Sequence, residues 1–403
     1  MHDILRQIKL LRQALSSDRL PIGLFLGAGC PVSVRVEVEG GQHEPLAPAI
    51  AGLTDLVAKA IAEKGGEARN SYDSVIGHLK ADGTGSPTIE HILGHVRSLV
   101  IAAGTDQARG LTSAQLKSLD QTICELIINH VSPSLPQDPT PYHHLASWIS
   151  AIPRSHAVEV FTTNYDLLLE QALERHRVPY FDGFVGSHRA FFDPNSIELD
   201  ELPPRWARLW KMHGSVNWRQ SSVDDSVSRG EKFEESDERR LIHPSHLKYD
   251  QSRRMPYLAM IDRLRAFMRK TPAVLITCGY SFSDQHLNEV LMQGLQGNAT
   301  AACFALLYGK LDPYPDALQL AAARPNLSLL GETEGVIGTR RGRWQLPAGK
   351  EARDLAQAAT LEGDAEDGAP TNCKLTLPDF VRFGDFLIAD IGGGTPVDVS
   401  NEG

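Results

Sequence analysis

Six short apolar runs, several of them followed by amphipathic helical patterns, constrain the fold of this chain more than any other feature of its sequence. The runs lie at 21–26, 157–161, 208–212, 273–278, 302–308 and 326–330. Helical spacing of apolar residues recurs between several of them, at 166–176, 255–269, 284–296 and 312–323. Strands that alternate with helices favour an α/β protein with a Rossmann-like, doubly wound parallel sheet.

The chain has 403 residues, which is long for one ordinary domain. We expect a main domain over 1–330, a helical insertion within it at about 50–151, and a small C-terminal extension at 331–403. The acidic, polar stretch at about 220–240 predicts an exposed, mobile loop. The apolar patches near the end of the extension predict packing on another surface or on another subunit.

Two local patterns near the N-terminus predict further elements. Apolar residues at helical spacing over 4–15 predict an opening helix. Valine then alternates with polar residues from Val32 to Val38 and is followed by Gly40-Gly41, which predicts a β-hairpin after the first strand.

Charge and cysteine usage exclude several classes of protein. The net charge of −10 weighs against a protein that coats nucleic acid by bulk charge. A basic stretch at 248–270 leaves two interpretations open, a docking face for nucleic acid or an acidic partner, and a solvated helix face. The five scattered cysteines form no C-x-x-C pair, and no stretch of eighteen apolar residues occurs. We therefore expect a soluble cytoplasmic protein without zinc and without a membrane partner.

Four of the predicted strands end in loops of small or polar residues. Ligands of open parallel sheets bind outside the carboxyl ends of the strands, so these loops are the candidate site. They are Gly27-Ala28-Gly29-Cys30, Thr162-Thr163-Asn164-Tyr165-Asp166, His213-Gly214-Ser215 and Gly279-Tyr280-Ser281-Phe282-Ser283-Asp284. The first loop lacks the third glycine of G-x-G-x-x-G, which makes a hydride-transferring dehydrogenase a weaker interpretation.

Together, the four loops resemble the sirtuin-like (Sir-two) family, in which G-A-G, T-x-N-x-D and a catalytic H-G dipeptide occur in this order. The resemblance covers roughly residues 20–310. The late loop, with His286 and Asn288 behind it, resembles the bacterial anti-phage defence branch of the family. The two C-x-x-C pairs of the zinc ribbon of the family's deacetylases are absent, so zinc-supported peptide binding is not expected.

The resemblance implies an NAD glycohydrolase that depletes NAD during phage infection, in homo-oligomers and with a HerA-like ATPase as partner. The chain has no G-x-x-x-x-G-K-[ST] motif, so any motor would belong to that partner. Two alternatives remain open, an NAD-dependent protein deacylase and a non-catalytic scaffold that binds NAD or ADP-ribose.

Three side chains are the candidate catalytic residues. His213 is placed to take a proton from water or a ribose hydroxyl, and Asn164 to hold the attacking water. Asp166 is placed to orient either of them or to set negative charge near the cationic sugar. As alternatives, Asp166 and Asp284 cap the helices that follow them. The expected NAD-binding residues are Gly27, Ala28, Gly29, Cys30, Thr162, Asn164, Asp166, Gly279, Ser281 and Asp284.

Overall fold

The computed structural model describes residues 1–38, 41–221, 223–230, 238–242, 255–347, 350, 355, 357–362 and 371–392. Its strands are β1 His2–Asp3, β2 Ile22–Leu26, β3 Arg35–Val38, β4 Gln42–Pro45, β5 Gln107–Ala108, β6 Leu111–Thr112, β7 Glu159–Thr162, β8 Tyr180–Phe181, β9 Phe184–Val185, β10 Ala190–Phe192, β11 Ala207–Lys211, β12 Gly214–Ser221, β13 Val227–Arg229, β14 Glu238–Ile242, β15 Ala273–Cys278, β16 Ala301–Leu306, β17 Leu327–Leu330, β18 Glu334–Ile337, β19 Arg340–Leu346, β20 Ala359–Leu361 and β21 Thr371–Leu375.

Its helices are α1 Ile4–Leu15, α2 Gly29–Ser33, α3 Ile50–Lys64, α4 Gly66–Ala81, α5 Ile89–Ala103, α6 Ser113–Val131, α7 Pro141–Ala151, α8 Leu168–Arg175, α9 Pro194–Leu199, α10 Tyr257–Met268, α11 Gln285–Gly297, α12 Pro315–Ala323 and α13 Phe380–Gly392. No helix in the described ranges combines the length and the apolar character needed to cross a bilayer.

The main sheet confirms the predicted α/β fold. Its strand order is β20-β21-β19-β18-β17-β16-β15-β2-β7-β11-β8, and β1 pairs with β19. The strands from β17 to β8 run parallel. The chain moves from β2 to β7 on one side and later returns to β15 on the other side of β2. This reversal at β2 is the switch point at which open sheets of this kind form a ligand crevice.

Helices cover both faces of the parallel strands, as a doubly wound sheet requires. Alternate residues of the strands supply the two cores, for example Leu24 on one face and Phe25 on the other. The first core holds the buried side chains of α1, α7, α8 and α13. The second holds those of α10, α11 and α12. The strands read as continuous apolar runs because both of their faces are buried.

The helical insertion has its own core, built by α3, α4, α5 and α6. The predicted insertion at about 50–151 also included α7, but α7 packs on the main sheet through Tyr142, Leu145 and Trp148. The pattern over 66–81 was not predicted as a helix, and it forms α4. Tyr165, Leu167 and Val216 pack against the insertion core, so this core lies next to two of the four candidate loops.

A second, antiparallel sheet has the order β14-β12-β13-β10-β9. The prediction of an exposed loop at 220–240 is therefore wrong for β13 and β14. Val227 and Ser228 are buried in β13, which pairs with β12 across a turn where Asp224 accepts hydrogen bonds from Ser226. These strands are short and polar, so their sequence gives little apolar alternation to detect. Residues 222 and 231–237 of the predicted loop lie outside the described residues.

The C-terminal extension belongs to the same core rather than to a separate surface. Strands β18, β19, β21 and β20 continue the main sheet in antiparallel fashion. Helix α13 packs on α7, where the ring of Phe380 contacts Tyr142 with centroids 5.1 Å apart. Phe380, Phe383 and Phe386 are buried by this contact. Of the two predicted alternatives, the apolar patch packs on another surface of the chain itself rather than on another subunit.

The predicted valine hairpin is correct from Arg35 onward but wrong before it. Strand β3 pairs with β4 from Arg35↔Pro45 to Val38↔Gln42. Val32 and Ser33 lie instead in α2, the short helix that follows the first loop. Pro31 is accepted there because proline is tolerated in the first turn of a helix.

Candidate functional site

The register of the main sheet brings the four candidate loops to one edge. Leu26 at the end of β2 is paired with Thr162 of β7 and with Cys278 of β15, and Thr162 is paired with Lys211 of β11. These four paired residues mark the carboxyl ends of their strands. Each loop begins no more than two residues beyond the paired residue of its strand, so all four loops start at the same edge of the sheet. The four loops meet at the switch point, as the sequence predicts.

The first and last of these loops cross each other with their backbones in direct contact. A Cβ atom added to Gly27 would lie 2.3 Å from the carbonyl oxygen of Gly279, and one added to Gly29 would lie 2.8 Å from Gly279 Cα. Gly279 has a positive φ of 67°, and its own Cβ would lie 2.6 Å from the amide nitrogen of Cys30. Glycine at these three positions is therefore required by the fold itself.

Three amides of the first loop are used within the protein. Gly27 N donates to Cys278 O at 2.9 Å, Gly29 N to Gly279 O at 3.0 Å, and Cys30 N to Gly27 O at 3.0 Å. Gly27, Gly29 and Cys30 are expected NAD-binding residues, but their amides already have partners within the protein. The exposed part of the loop is Ala28 and Gly29, whereas Cys30 is buried.

Asn164 is held against the first loop by its own side chain. Its Nδ2 donates to Gly27 O at 3.1 Å, and its backbone amide donates to Thr162 Oγ1 at 3.0 Å. Thr162 Oγ1 in turn donates to Leu26 O at 2.9 Å. Thr162 is buried and Asn164 half-buried, so the threonine holds the turn while the asparagine stays accessible. The carbonyl oxygen of the Asn164 side chain is the group left to face a reactant.

His213 is held by Asp284, which lies at the start of the fourth loop's helix. His213 Nε2 and Asp284 Oδ2 are 3.0 Å apart, and the two side chains are 12% and 8% exposed. Burial raises the pKa of Asp284, but the hydrogen bond and the charge of His213 outweigh it, and the net pKa lies below the usual value. An ionised carboxylate only accepts, so Nε2 donates and Nδ1 is left for proton transfer.

Asp284 also caps α11, which confirms the capping interpretation of this residue. Its Oδ1 accepts the backbone amides of His286 at 3.0 Å and Leu287 at 3.2 Å. Asn288 of α11 holds the fourth loop, because its Nδ2 donates a hydrogen bond to Phe282 O at 2.6 Å. Phe282 has a positive φ of 60°, so this bond supports a backbone conformation that is unusual for a bulky residue. Ser281, the expected ligand residue of this loop, is exposed at the same edge.

Asp166 is buried beneath the site, one residue before Leu167, the N-cap residue of α8. Its Oδ1 accepts from the amide of Leu168, the first residue of the helix, at 3.1 Å, so the capping interpretation is displaced by one residue. The carboxylate bonded to His213 is that of Asp284, which removes one of the roles expected of Asp166, that of orienting His213. Burial raises the pKa of Asp166 to about 6, although the nearby Lys211 ammonium lowers it.

The sequence interpretation missed a buried ion pair next to these loops. Lys211 is 1% exposed, and its Nζ lies 2.8 Å from Glu170 Oε1. The same Nζ contacts the carbonyl oxygens of Tyr165 and Asp166. The signal was present, since Lys211 is a charged residue inside the apolar run Leu209-Trp210-Lys211-Met212. A charge in a buried strand needs partners, and here they come from the Asn164 loop.

Cys30 is not placed to act as a nucleophile. Its thiol is buried and lies 3.2 Å from Cys278 O. Burial and the neighbouring Cys278 raise the pKa of the Cys30 thiol well above its usual value. The reactive thiolate is therefore disfavoured, and Cys30 contributes packing under the first loop.

The basic stretch at 248–270 is partly neutralised within the fold. Arg263 Nη2 lies 2.6 Å from Asp200 Oδ2, Lys270 Nζ 2.6 Å from Glu159 Oε1, and Arg265 Nη1 2.7 Å from Asp262 Oδ1. Lys248, Arg253 and Arg254 lie outside the described residues. The described part of the stretch supports the chain's own packing rather than an open basic face.

With this geometry in place, comparison with known families gives one match. Residues 158–327 match the family model of the SIR2-like domain. This SIR2-like region begins just before β7 and ends at the first residue of β17, so it contains Asn164, His213 and Asp284. The glycine loop after β2 lies ahead of it. Among curated protein sequences, none is significantly similar to this chain.

Solved structures of Sir2 enzymes are similar at low identity. A Sir2 homologue in complex with NAD is 14% identical, covers 76% of this chain and 86% of its own, and has a TM-score of 0.31. A Sir2 homologue mutant with ADP-ribose is 13% identical, with 76% and 88% covered and a TM-score of 0.34. A structure from a study of the mechanism and regulation of Sir2 enzymes is 12% identical, with 76% and 85% covered and a TM-score of 0.34. Superpositions this loose transfer no residue roles.

Proposed function

We propose that the chain is an NAD glycohydrolase that cleaves NAD to nicotinamide and ADP-ribose. One observation carries the proposal. Two polar side chains, Asn164 and His213, stand at the switch point of the sheet, and each is fixed by a second group, Gly27 O and Asp284. The SIR2-like region contains both side chains, and the resemblance of the four loops to sirtuin-like proteins points to NAD as the substrate.

The chemistry of NAD cleavage suits a site of this kind. Nicotinamide leaves C1 of its ribose as a neutral ring, because the bond breaks toward the pyridinium nitrogen, and no general acid is needed. Water then bonds to the oxocarbenium-like carbon and loses one proton, so NAD and water give nicotinamide, ADP-ribose and a proton. Asn164 holds the water through its side-chain oxygen, and His213 Nδ1 takes the proton. Asp284 stabilises the imidazolium that forms.

The surrounding residues define where the rest of NAD lies. Ala28, Gly29 and Ser281 are exposed along the same edge and line the binding crevice in this proposal. The amide of Ala28 and the Ser281 hydroxyl are then the contacts for the pyrophosphate, because the amides of Gly27, Gly29 and Cys30 are used internally. Thr162, Asp166 and Gly279 act indirectly by shaping the loops. Zinc has no role in this scheme.

The biological setting follows from the resemblance to the anti-phage defence branch. We propose a cytoplasmic effector that depletes NAD during infection and so aborts phage growth. An unregulated enzyme of this kind would harm its own cell, so its active state must be controlled, by homo-oligomer assembly or by a partner such as a HerA-like ATPase. In this setting, the chain itself contacts nucleic acid only indirectly or weakly.

The proposal is tested by incubating the purified chain with NAD and separating the products by chromatography. We expect nicotinamide and ADP-ribose from the wild type, and a loss of about 100-fold or more in Asn164→Ala and His213→Ala. His156→Ala is the matched histidine control, because exposed His156 precedes the opposite, amino-terminal end of β7. An acyl-lysine peptide is added in a parallel reaction. Cleavage that requires the peptide would make the chain a deacylase, and NAD binding without cleavage would make it a scaffold.

A further inference from the structure

Lys211 is a buried ammonium that lies next to two of the candidate catalytic residues, His213 in the sequence and Asp166 in the fold. It is the last residue of β11, two residues before His213. Its side chain is 1% exposed, and taking such a charge out of water is costly unless it is paired and hydrogen-bonded. Three acceptors surround its Nζ, namely Glu170 Oε1 and the carbonyl oxygens of Tyr165 and Asp166. The ammonium has three N–H donors, and Glu170 and Asp166 are its close acceptors, whereas the Tyr165 oxygen lies farther away at 3.5 Å.

Two of these acceptors belong to the backbone of the turn that carries Asn164. Tyr165 and Asp166 follow Asn164 directly, so the ammonium binds the turn immediately beyond it. Tyr165 O also accepts from Val216 N at 3.0 Å, in the strand that follows His213. Lys211 and Val216 thus join the Asn164 turn to both flanks of His213.

The charge balance around Lys211 separates two roles. Glu170 neutralises the ammonium, and the partly buried carboxylate pairs with it at 2.8 Å. The two carbonyl contacts add no neutralisation, but they fix the direction of the turn. A buried ammonium needs acceptors for all of its N–H donors, and here two of the acceptors are backbone carbonyls of the candidate catalytic loop.

We propose that Lys211 is a positioning residue that holds the Asn164 turn at a fixed distance from His213. The inference rests on the proposed function. Reacting groups must be placed closely, since a shift of about 1 Å can cost roughly 100-fold in rate. Lys211 acts through the backbone of Tyr165 and Asp166 and does not itself contact the substrate.

The decisive variant removes the ion pair as a unit. Lys211→Met alone leaves the Glu170 carboxylate buried without its partner and is expected to destabilise the fold. Lys211→Met with Glu170→Met replaces the pair by two apolar side chains of similar length, a change that buried pairs often tolerate. Lys270→Met is the matched control, because Lys270 also binds a buried glutamate, Glu159, at 2.6 Å but at the opposite edge of the sheet. Glu159 keeps two other partners when Lys270 is replaced, Trp210 Nε1 at 2.8 Å and Arg263 Nη2 at 3.9 Å.

Two readouts separate positioning from stability. In the double variant we expect kcat for NAD cleavage to fall by about 10- to 100-fold with KM within about threefold of wild type. We also expect faster amide hydrogen exchange in the peptide that contains residues 163–168. Lys270→Met is expected to keep the wild-type kcat for NAD cleavage and the wild-type rate of amide exchange over residues 163–168. If the double variant does not fold, Lys211→Gln with Glu170→Gln, which keeps a shorter amide donor, replaces it.

The outcomes distinguish this inference from the proposed function. Wild-type kcat, or unchanged exchange over 163–168, in the folded double variant would overturn the positioning role while NAD cleavage by the wild type still stood. If the wild type does not cleave NAD, the proposed function fails, and the exchange measurement still decides whether Lys211 holds the turn.

Discussion

Asp284 uses one carboxylate oxygen for the fold and the other for the site. Oδ1 accepts two backbone amides at the start of α11, and Oδ2 accepts the Nε2–H of His213 at 3.0 Å. The first role is a property of any good N-cap residue, whereas the second requires an ionised group. A substitution that keeps the cap but removes the charge can therefore separate the two roles.

Asp284→Asn is the substitution that separates them. Asparagine caps helices about as well as aspartate, so the melting temperature should stay close to that of wild type. Its amide no longer stabilises the imidazolium and favours the other tautomer of His213, so kcat should fall by roughly 100-fold or more. Steady-state NAD cleavage and a thermal melt check both expectations. Wild-type kcat in this variant would show that the contact with His213 has no catalytic role.

The raised pKa of Asp166 predicts that the free energy of unfolding changes with pH. Burial raises its pKa to about 6, above the unfolded value of about 3.9. The folded state therefore binds the proton more tightly, and this contribution is fully present below about pH 4 and lost as the pH rises through about 6. A pKa difference of about two units corresponds to about 3 kcal/mol in the free energy of unfolding.

Asp166→Asn removes this titration and makes it measurable. We expect the free energy of unfolding of the variant, relative to wild type, to increase by up to about 3 kcal/mol from pH 4 to pH 7. Urea unfolding followed by tryptophan fluorescence at several pH values gives the difference. A difference that does not change with pH would refute the raised pKa.

At the scale of elements, the site depends on two loops that cross with backbone contact. Cβ atoms at Gly27 and at Gly279 would each lie within 2.6 Å of backbone atoms of the other loop. Neither loop can move aside without disturbing β2 or β15, which are central strands of the sheet. These glycines are therefore needed for close approach of one loop to the other before any ligand is considered.

Gly27→Ala should consequently lower the melting temperature and abolish NAD cleavage. Gly77→Ala is its matched control, because Gly77 lies inside α4 with no atom within 4 Å of an added Cβ. That control should gain about 0.5–1 kcal/mol from the better helix propensity of alanine. Thermal melts of the two variants test the pair. An unaffected Gly27→Ala protein would mean that the crossing is looser than its distances indicate.

The sequence predicts the elements of the parallel sheet well and the polar strands poorly. Runs such as 273–278 and 327–330 are buried on both faces and carry a strong apolar signal. Strand β13 contributes three residues and β14 carries mainly charged ones, so neither gives this signal. The loops of the candidate site could be located because each of them follows a strand with a strong apolar signal in the sequence. The Lys211 pair was missed because the partners of a buried charge lie elsewhere in the sequence.

For the whole molecule, the contacts between loops could not be read from sequence. Topology places four loops at one edge, but it does not tell which carboxylate reaches His213. Asp166 is closer to His213 in sequence than Asp284 is, yet Asp284 makes the contact across the switch point. For the C-terminal extension, the sequence predicted packing on another surface or on another subunit without deciding between them, and α13 completes the core over α7.

At the scale of the whole molecule, two hydrophobic cores of the described residues lie beside the loops of the candidate site. The insertion core packs on Tyr165 and Leu167, beside Asn164, and α7 and α13 close the opposite face of the sheet. Such support is what a site needs when its reacting groups must be held in place.

The most direct measurement of the central claim is the rate of nicotinamide release from NAD by the full-length chain, beside Asn164→Ala, Asp284→Asn and the control His156→Ala. The account predicts release by the wild type and by His156→Ala, with equal amounts of ADP-ribose, and a loss of about 100-fold in the other two. Equal rates in all four proteins would contradict it, because cleavage would then not depend on the side chains that meet at the switch point.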